Sequence, residues 1–205
     1  MTLSHTEVFD IAAEQGLQNL IEGNQRFVRG EARFPTICKE TLAALAKEQK
    51  PFATILGCSD SRVPPELIFD ANFGELFIVR VAGNLISPEV LGSLQYAETH
   101  LRTPLFVVLG HEECGAVKAA LTTMVEKHHH DSYIQTLVDN ILPGLADLSS
   151  ETSQEERLAR AIEANVRWSM HQILETPDGE NAVKAGAQLV GAVFEIASGH
   201  VRLLT

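Results

Sequence analysis

The stretch Leu105-Phe106-Val107-Val108-Leu109-Gly110-His111-Glu112-Glu113-Cys114-Gly115 decides the fold. Its first half is apolar without polar alternation, which reads as a strand buried on both faces, as in a parallel sheet. Its second half puts His111 at the carboxyl end of that strand and Cys114 at the start of a helix. The helix is indicated by Ala116, Val117, Ala120, Leu121, Met124 and Val125, which recur at helical spacing.

Three further runs have the same character: 52–57 (Phe52 to Gly57), 76–81 (Leu76 to Val81) and 189–196 (Leu189 to Ile196). Helical stripes separate them. One is Val90, Leu91, Leu94 and Ala97. Another begins at the capping box Ser153-Gln154-Glu155-Glu156 and carries Leu158, Ile162, Val166, Met170, Ile173 and Leu174. Ser198-Gly199 turns into a last short strand, Val201 to Leu204, expected to be antiparallel. Strands alternating with helices give an α/β fold. The expectation is a mostly parallel central sheet of four strands with a fifth, antiparallel edge strand, and helices on both faces.

The first fifty residues read as an N-terminal helical arm. Ser4-His5-Thr6-Glu7 has capping-box spacing, Leu17, Leu20, Ile21, Asn24, Phe27 and Val28 follow at helical intervals, and Gly30 marks the end. A second helix carries Leu42, Leu45 and Ala46 and stops before Pro51. These helices hold too few apolar residues for a core of their own and are expected to pack on a partner subunit. No repeat, linker or second core interrupts residues 1–205, so one domain is expected.

The strand ends bring chemistry together. Cys58 ends the first strand and opens Cys58-Ser59-Asp60-Ser61-Arg62; His111 ends the third; Cys114 caps the next helix. Ligands of open α/β sheets bind at that carboxyl edge. Two thiolates and one imidazole suit a borderline-soft divalent ion, above all zinc. Three protein ligands leave one tetrahedral position free, as in a catalytic rather than a structural zinc site. A helix N-terminus favours the Cys114 thiolate. Two thiolates also cancel the formal charge of Zn²⁺, so the site needs help from surrounding groups to acidify water.

Composition narrows the setting. The net charge of −11 argues against nucleic acid, because phosphate binding needs clustered Lys and Arg. Three cysteines, two assigned to metal, leave no disulfide framework, and Cys38 is expected to be a small, partly buried residue. No apolar run is long enough to span a bilayer, and the start has no basic region followed by an apolar stretch. A cytoplasmic globular protein is expected.

The motifs Cys58-x-Asp60-x-Arg62 and His111-x-x-Cys114-Gly115 resemble the two signatures of the β-class carbonic anhydrases. The similarity extends to Gly-Asn-Gln-Arg-Phe at 23–27, to 57–64, to Val79-Arg80-Val81-Ala82-Gly83-Asn84 and to Gly92-Ser93-Leu94-Gln95-Tyr96-Ala97. The resemblance implies reversible hydration of CO2 to bicarbonate and a proton by zinc-bound hydroxide. It implies one Zn²⁺ per chain on Cys58, His111 and Cys114, with Asp60, held by Arg62, accepting a hydrogen bond from the hydroxide. It implies that Gln49 donates to substrate, that Phe77, Ala82 and Tyr96 wall the pocket, and that Tyr96 reaches the neighbouring subunit. A homodimer or a dimer of dimers follows from the same likeness. An inhibitory bicarbonate site in one branch of the family uses a tryptophan, an arginine and a tyrosine. Their positions here hold Ile55, Arg80 and Phe194, so that site is not expected to operate.

Other readings weigh against this one. Asp60 could be a fourth ligand of a structural zinc, or it could swing onto the metal once Arg62 releases it. Asp60 and Arg62 could be a plain ion pair, and Gln49, Phe77 and Tyr96 could be ordinary surface or core residues. The tract His128-His129-His130 reads as a solvated helix end. A hydrolase for carbon disulfide or carbonyl sulfide would use the same ligands. A non-catalytic zinc protein would not need Asp60 and Arg62, and a thiol redox protein would want Cys-x-x-Cys, which is absent.

Overall fold

The computed structural model describes residues 4–33, 38–127, 129–130, 133–148 and 153–204. Five strands form one sheet: β1 (Ala53–Gly57), β2 (Leu76–Arg80), β3 (Leu105–His111), β4 (Gln188–Phe194) and β5 (Val201–Leu204). Their order is β2-β1-β3-β4-β5. The first four are parallel and β5 is antiparallel to β4. Every residue of β1 and β3 is buried, which is why both read as unbroken apolar runs. β2 departs from the expectation of burial on both faces. It has only β1 as a neighbour, and its residues are half-buried or exposed.

Among the described residues, eight α-helices accompany the sheet: α1 (His5–Val28), α2 (Lys39–Leu45), α3 (Pro65–Ile68), α4 (Pro88–Tyr96), α5 (Gly115–Glu126), α6 (Tyr133–Ile141), α7 (Gln154–Leu174) and α8 (Pro177–Lys184). Both expected capping boxes form, at Ser4 with Glu7 and at Ser153 with Glu156. Strand parity shows that helices cover both faces. A Cβ on Gly16 of α1 would touch the Leu105 side chain, whereas one on Gly110 would meet Val166 of α7. Residues 105 and 110 point to opposite sides of β3. Two stripe positions lie outside the core: Val125 and Leu174 sit near helix ends and are exposed.

α1 lies on the sheet of its own chain. Ala13 and Leu20 are buried in the common core. Gly23 lets α1 approach the turn after α3 so closely that an added Cβ would stand 1.8 Å from the Phe69 carbonyl oxygen. Asn24 then ties three segments together. Its Nδ2 donates to the carbonyls of Ile68 (3.2 Å) and Gly199 (2.8 Å), and its Oδ1 accepts from the Val201 N–H at 2.9 Å. α2 buries none of its residues. Cys38, expected to be partly buried, is exposed just before α2, a helix that buries none of its own residues and so offers no core to shelter it.

The same turn carries a buried carboxylate. Asp70, 3% exposed in its side chain, accepts from Arg26 Nε at 2.6 Å, and from the Arg33 backbone N–H (2.8 Å) and Nε (2.9 Å). Burial by itself would raise the Asp70 pKa; the hydrogen bonds from Arg26 and Arg33 outweigh it and hold the carboxyl below its ordinary value. A carboxyl lowered on folding adds stability above its unfolded pKa, about 4, and that stability is lost as pH falls through the lower folded value. Asp70→Asn is therefore expected to cost about 1.5–3 kcal/mol at pH 7 and to flatten the acid limb of the stability curve. Urea unfolding across pH checks this; identical acid limbs would show that the cluster contributes nothing.

Candidate metal centre

Sheet register assembles the site. Gly57, the last residue of β1, pairs with Arg80 on one side and Leu109 on the other, and His111 pairs with Phe194. The chain therefore leaves β1 at Cys58, β2 after Arg80 and β3 at His111 along one edge. Glu113 takes a positive φ of 53°, which turns the chain back sharply before α5, so that Cys114 occupies its N-cap.

Cys58, His111 and Cys114 are all buried, and their ligand atoms lie within 4.8 Å of one another. His111 Nδ1 is 2.7 Å from the Glu112 carbonyl oxygen. A carbonyl only accepts, so Nδ1 carries the proton and Nε2 presents its lone pair. That Nε2 is buried and has no hydrogen-bond partner. An orphaned ring nitrogen beside two sulfurs is costly unless a cation takes it.

The sulfurs show the same demand. The Cys58 thiol is lowered, first by the hydrogen bond from Cys114, against burial, with His111 and the Gly83 N–H adding to the effect. The Cys114 thiol is raised, first by its bond to Cys58 and then by burial. A divalent ion displaces the thiol protons on binding and leaves two thiolates. The donor set, two soft sulfurs and one imidazole, fits zinc.

Asp60 is not a member of this ligand group. Arg62 holds its carboxylate from three points: the backbone N–H at 2.9 Å and Nε at 2.9 Å, both on Oδ1, and Nη2 at 2.7 Å on Oδ2. Those bonds hold the carboxyl well below the usual carboxylate range. Arg62 Nη2 also reaches the Glu113 carbonyl at 3.3 Å, linking the two halves of the site. Asp60 is thus turned toward Arg62, which counts against its acting as a fourth ligand of a structural zinc.

The remaining expected residues are placed as follows. Phe77 on β2 and Tyr96 at the end of α4 come together, with ring centroids 6.2 Å apart. Tyr96 is exposed and stacks on His100 at 4.8 Å. Ala82 is half-buried in the turn 82–84, while Gln49 is exposed in the segment leading to β1. Ile55 and Phe194 are core residues. In the histidine tract, His129 lies exposed after α5, and His128 is outside the described residues.

Sequence reasoning missed the groups that grip the site's backbone. Arg80 Nε donates to the Cys58 carbonyl at 2.9 Å and its Nη2 to the Asp60 carbonyl at 2.6 Å. Gly83 donates its N–H to Cys58 Sγ at 3.3 Å. Asn165 and Ser169 on α7 are buried polar residues. A signal was available for them: polar residues in the apolar stripe between Ile162 and Ile173 have to satisfy their hydrogen bonds inside the fold.

Comparison with known proteins agrees with this geometry. Residues 53–201 match the family model described as carbonic anhydrase. "Carbonic anhydrase 2" of Mycobacterium tuberculosis is 47% identical over 189 residues, covering 90% of this chain and 89% of that protein. The carbonic anhydrase of Mycolicibacterium smegmatis is 37% identical over 190 residues, with 90% and 89% covered. A β-carbonic anhydrase crystal structure from Aspergillus fumigatus superposes with a TM-score of 0.73 at 29% identity, covering 80% of each chain.

Proposed function

Since this chain belongs to the carbonic anhydrase family, in its β class, we propose how its own residues divide the work. The protein is a zinc-dependent enzyme for the reversible hydration of carbon dioxide. The observation that carries this is the buried Cys58–His111–Cys114 cluster with the His111 Nε2 lone pair free. When bound, zinc supplies a Lewis acid that acidifies water toward a nucleophile at neutral pH. The alternative substrates, carbon disulfide and carbonyl sulfide, are not favoured by any of the matched relatives described above.

In the proposed division, Cys58, His111 and Cys114 hold the ion. Asp60 accepts the hydrogen of the attacking water and so points its lone pair at the carbon of CO2; Arg62 keeps the carboxylate in that orientation and ionised. A linear apolar substrate needs little recognition. Phe77, Ala82 and Tyr96 form its wall and Gln49 supplies a donor, with proximity doing the rest. The bicarbonate product and the proton leave at the sheet edge.

A homodimer, or a dimer of dimers, completes the pocket in this reading. Support comes from the exposed apolar residues Val8, Ile11, Leu42 and Tyr96, and from the half-buried edge strand β2. The helical arm, residues 1–50, would reach the partner through α2 and the outer face of α1. A reducing, cytoplasmic setting is supported by Cys38, Cys58 and Cys114 forming no disulfide with one another.

The deciding experiment is stopped-flow CO2 hydration with metal analysis. Purified protein is expected to carry one zinc per chain, to lose hydration when a strong chelator strips the ion, and to regain it on adding zinc. Undiminished hydration by the stripped protein would overturn the assignment.

A further inference from the structure

The turn 82–84 between β2 and α4 is held from behind. Gly83 has φ +73° and Asn84 φ +43°, both in the left-handed region. A Cβ on Gly83 would stand 2.9 Å from Ile141 Cδ1 and 3.0 Å from Ala116 Cβ, so α5 and α6 close in on the turn. Its carbonyls are then taken one after another. Asn165 Nδ2 donates to the Gly83 carbonyl at 2.8 Å, and Ser169 Oγ to the Asn84 carbonyl at 2.9 Å. Asn140 Nδ2 donates to the Ile86 carbonyl at 2.6 Å, and Trp168 Nε1 in turn holds the Asn140 carbonyl at 2.9 Å. Asn165 and Ser169 are 1% and 0% exposed and stand one helical turn apart on α7.

What this clamp fixes is a single donor. The Gly83 N–H points at Cys58 Sγ, 3.3 Å away. We propose that Asn165 and Ser169 are positioning residues of the metal centre, holding the Gly83 N–H on the Cys58 sulfur so that this ligand gives up less charge to the ion. The need is set by the ligands. Two thiolates neutralise a divalent cation and weaken it as a Lewis acid. A hydrogen bond to one sulfur withdraws electron density from it and restores part of the lost acidity. An amide serves better than a mobile water, because its direction is fixed before the ion arrives. Glycine takes the left-handed conformation freely at 83, but Asn84 at φ +43° does not and holds it only where its surroundings enforce it; two buried side chains aimed at adjacent carbonyls do so. Packing alone would call for apolar residues at these two core positions. Polar ones are retained where their hydrogen bonds have a task, since each costs stability if its partner is lost.

This inference rests on the zinc reading, and the test separates the two. Asn165→Ala, Ser169→Ala and, as a packing control, Ile173→Ala are compared with the wild type by three measurements: melting temperature, zinc affinity by chelator competition, and the thiolate-to-metal charge-transfer band of the Co²⁺-substituted protein. Asn165→Ala is expected to move the band to lower energy, because a sulfur without its hydrogen bond is easier to oxidise, and to change zinc affinity by about 10- to 100-fold. Ser169→Ala should shift both in the same direction by less. Ile173→Ala should lower the melting temperature and leave band and affinity in place. Wild-type band and affinity in both α7 variants, whatever their melting temperatures, would overturn the proposal. If Asn165→Ala does not fold, Ser169→Ala, which removes only a hydroxyl, decides by itself. Failure of the wild type to bind Zn²⁺ or Co²⁺ would instead overturn the metal reading.

Discussion

Cys114→Ser is expected to yield a folded protein without zinc and with CO2 hydration reduced by at least about 10³-fold, toward the uncatalysed rate. A serine hydroxyl is nearly the size of a thiol but stays protonated at neutral pH, so it offers the ion neither charge nor a soft donor. The remaining pair, Cys58 and His111, leaves too few ligands to hold zinc against water. Cys58→Ser should behave alike, with one difference. It also replaces the sulfur that accepts the Gly83 N–H by a shorter, neutral hydroxyl, which weakens that bond, so its melting temperature should fall further than that of Cys114→Ser. Metal analysis and stopped-flow hydration are the checks. A Cys114→Ser protein that retained a full equivalent of zinc at the remaining ligands would refute the assignment of that sulfur.

Asp60→Asn is expected to separate binding the metal from using it. Zinc content should stay at wild-type level, because Asp60 lies outside the ligand cluster. Turnover should fall on the order of 100-fold, the size of effect seen when an outer-shell partner is lost. The amide fails for a geometric reason. Arg62 presents donors to both carboxylate oxygens, at 2.9 Å on Oδ1 and 2.7 Å on Oδ2. Asparagine has one oxygen and one NH2, so one of the two contacts becomes donor against donor. The side chain then rotates away from Arg62 or turns its NH2 toward the attacking water, and in either case the acceptor is lost. KM should change less than kcat, since Asp60 acts on the nucleophile rather than on the substrate. Full turnover in Asp60→Asn would remove that role.

Legibility in the sequence followed the range of each interaction. β1 and β3 could be read because burial on both faces leaves an unbroken apolar run, which is a local property. β2 has a similar run yet lies at the edge; which strand ends up outside depends on the order in which crossovers place them, and no run of residues encodes that. α1 could be read as a helix from its cap and its spacing. Its seat on its own sheet depends on Gly23 and Asn24 meeting segments 44 residues away or more, and nothing near them in sequence announces it. Cys38 lies exposed for a related reason: a small apolar side chain is buried only where something exists to bury it.

The sequence by itself determined the alternating α/β pattern, the three candidate metal ligands and the Asp60–Arg62 pair. Cysteine and histidine at strand ends have few other uses in a fold without disulfides, and a pair two residues apart needs no tertiary structure to meet. Only the tertiary structure decided that Arg80 grips the Cys58 and Asp60 carbonyls, that Asn165 and Ser169 clamp the turn at Gly83, and that the His111 Nε2 faces the sulfurs unpartnered. In each clamp the acceptor is a backbone carbonyl, a group every residue carries. Which of the 205 a side chain will find is therefore fixed by how the chain packs, and leaves no mark in the order of its amino acids.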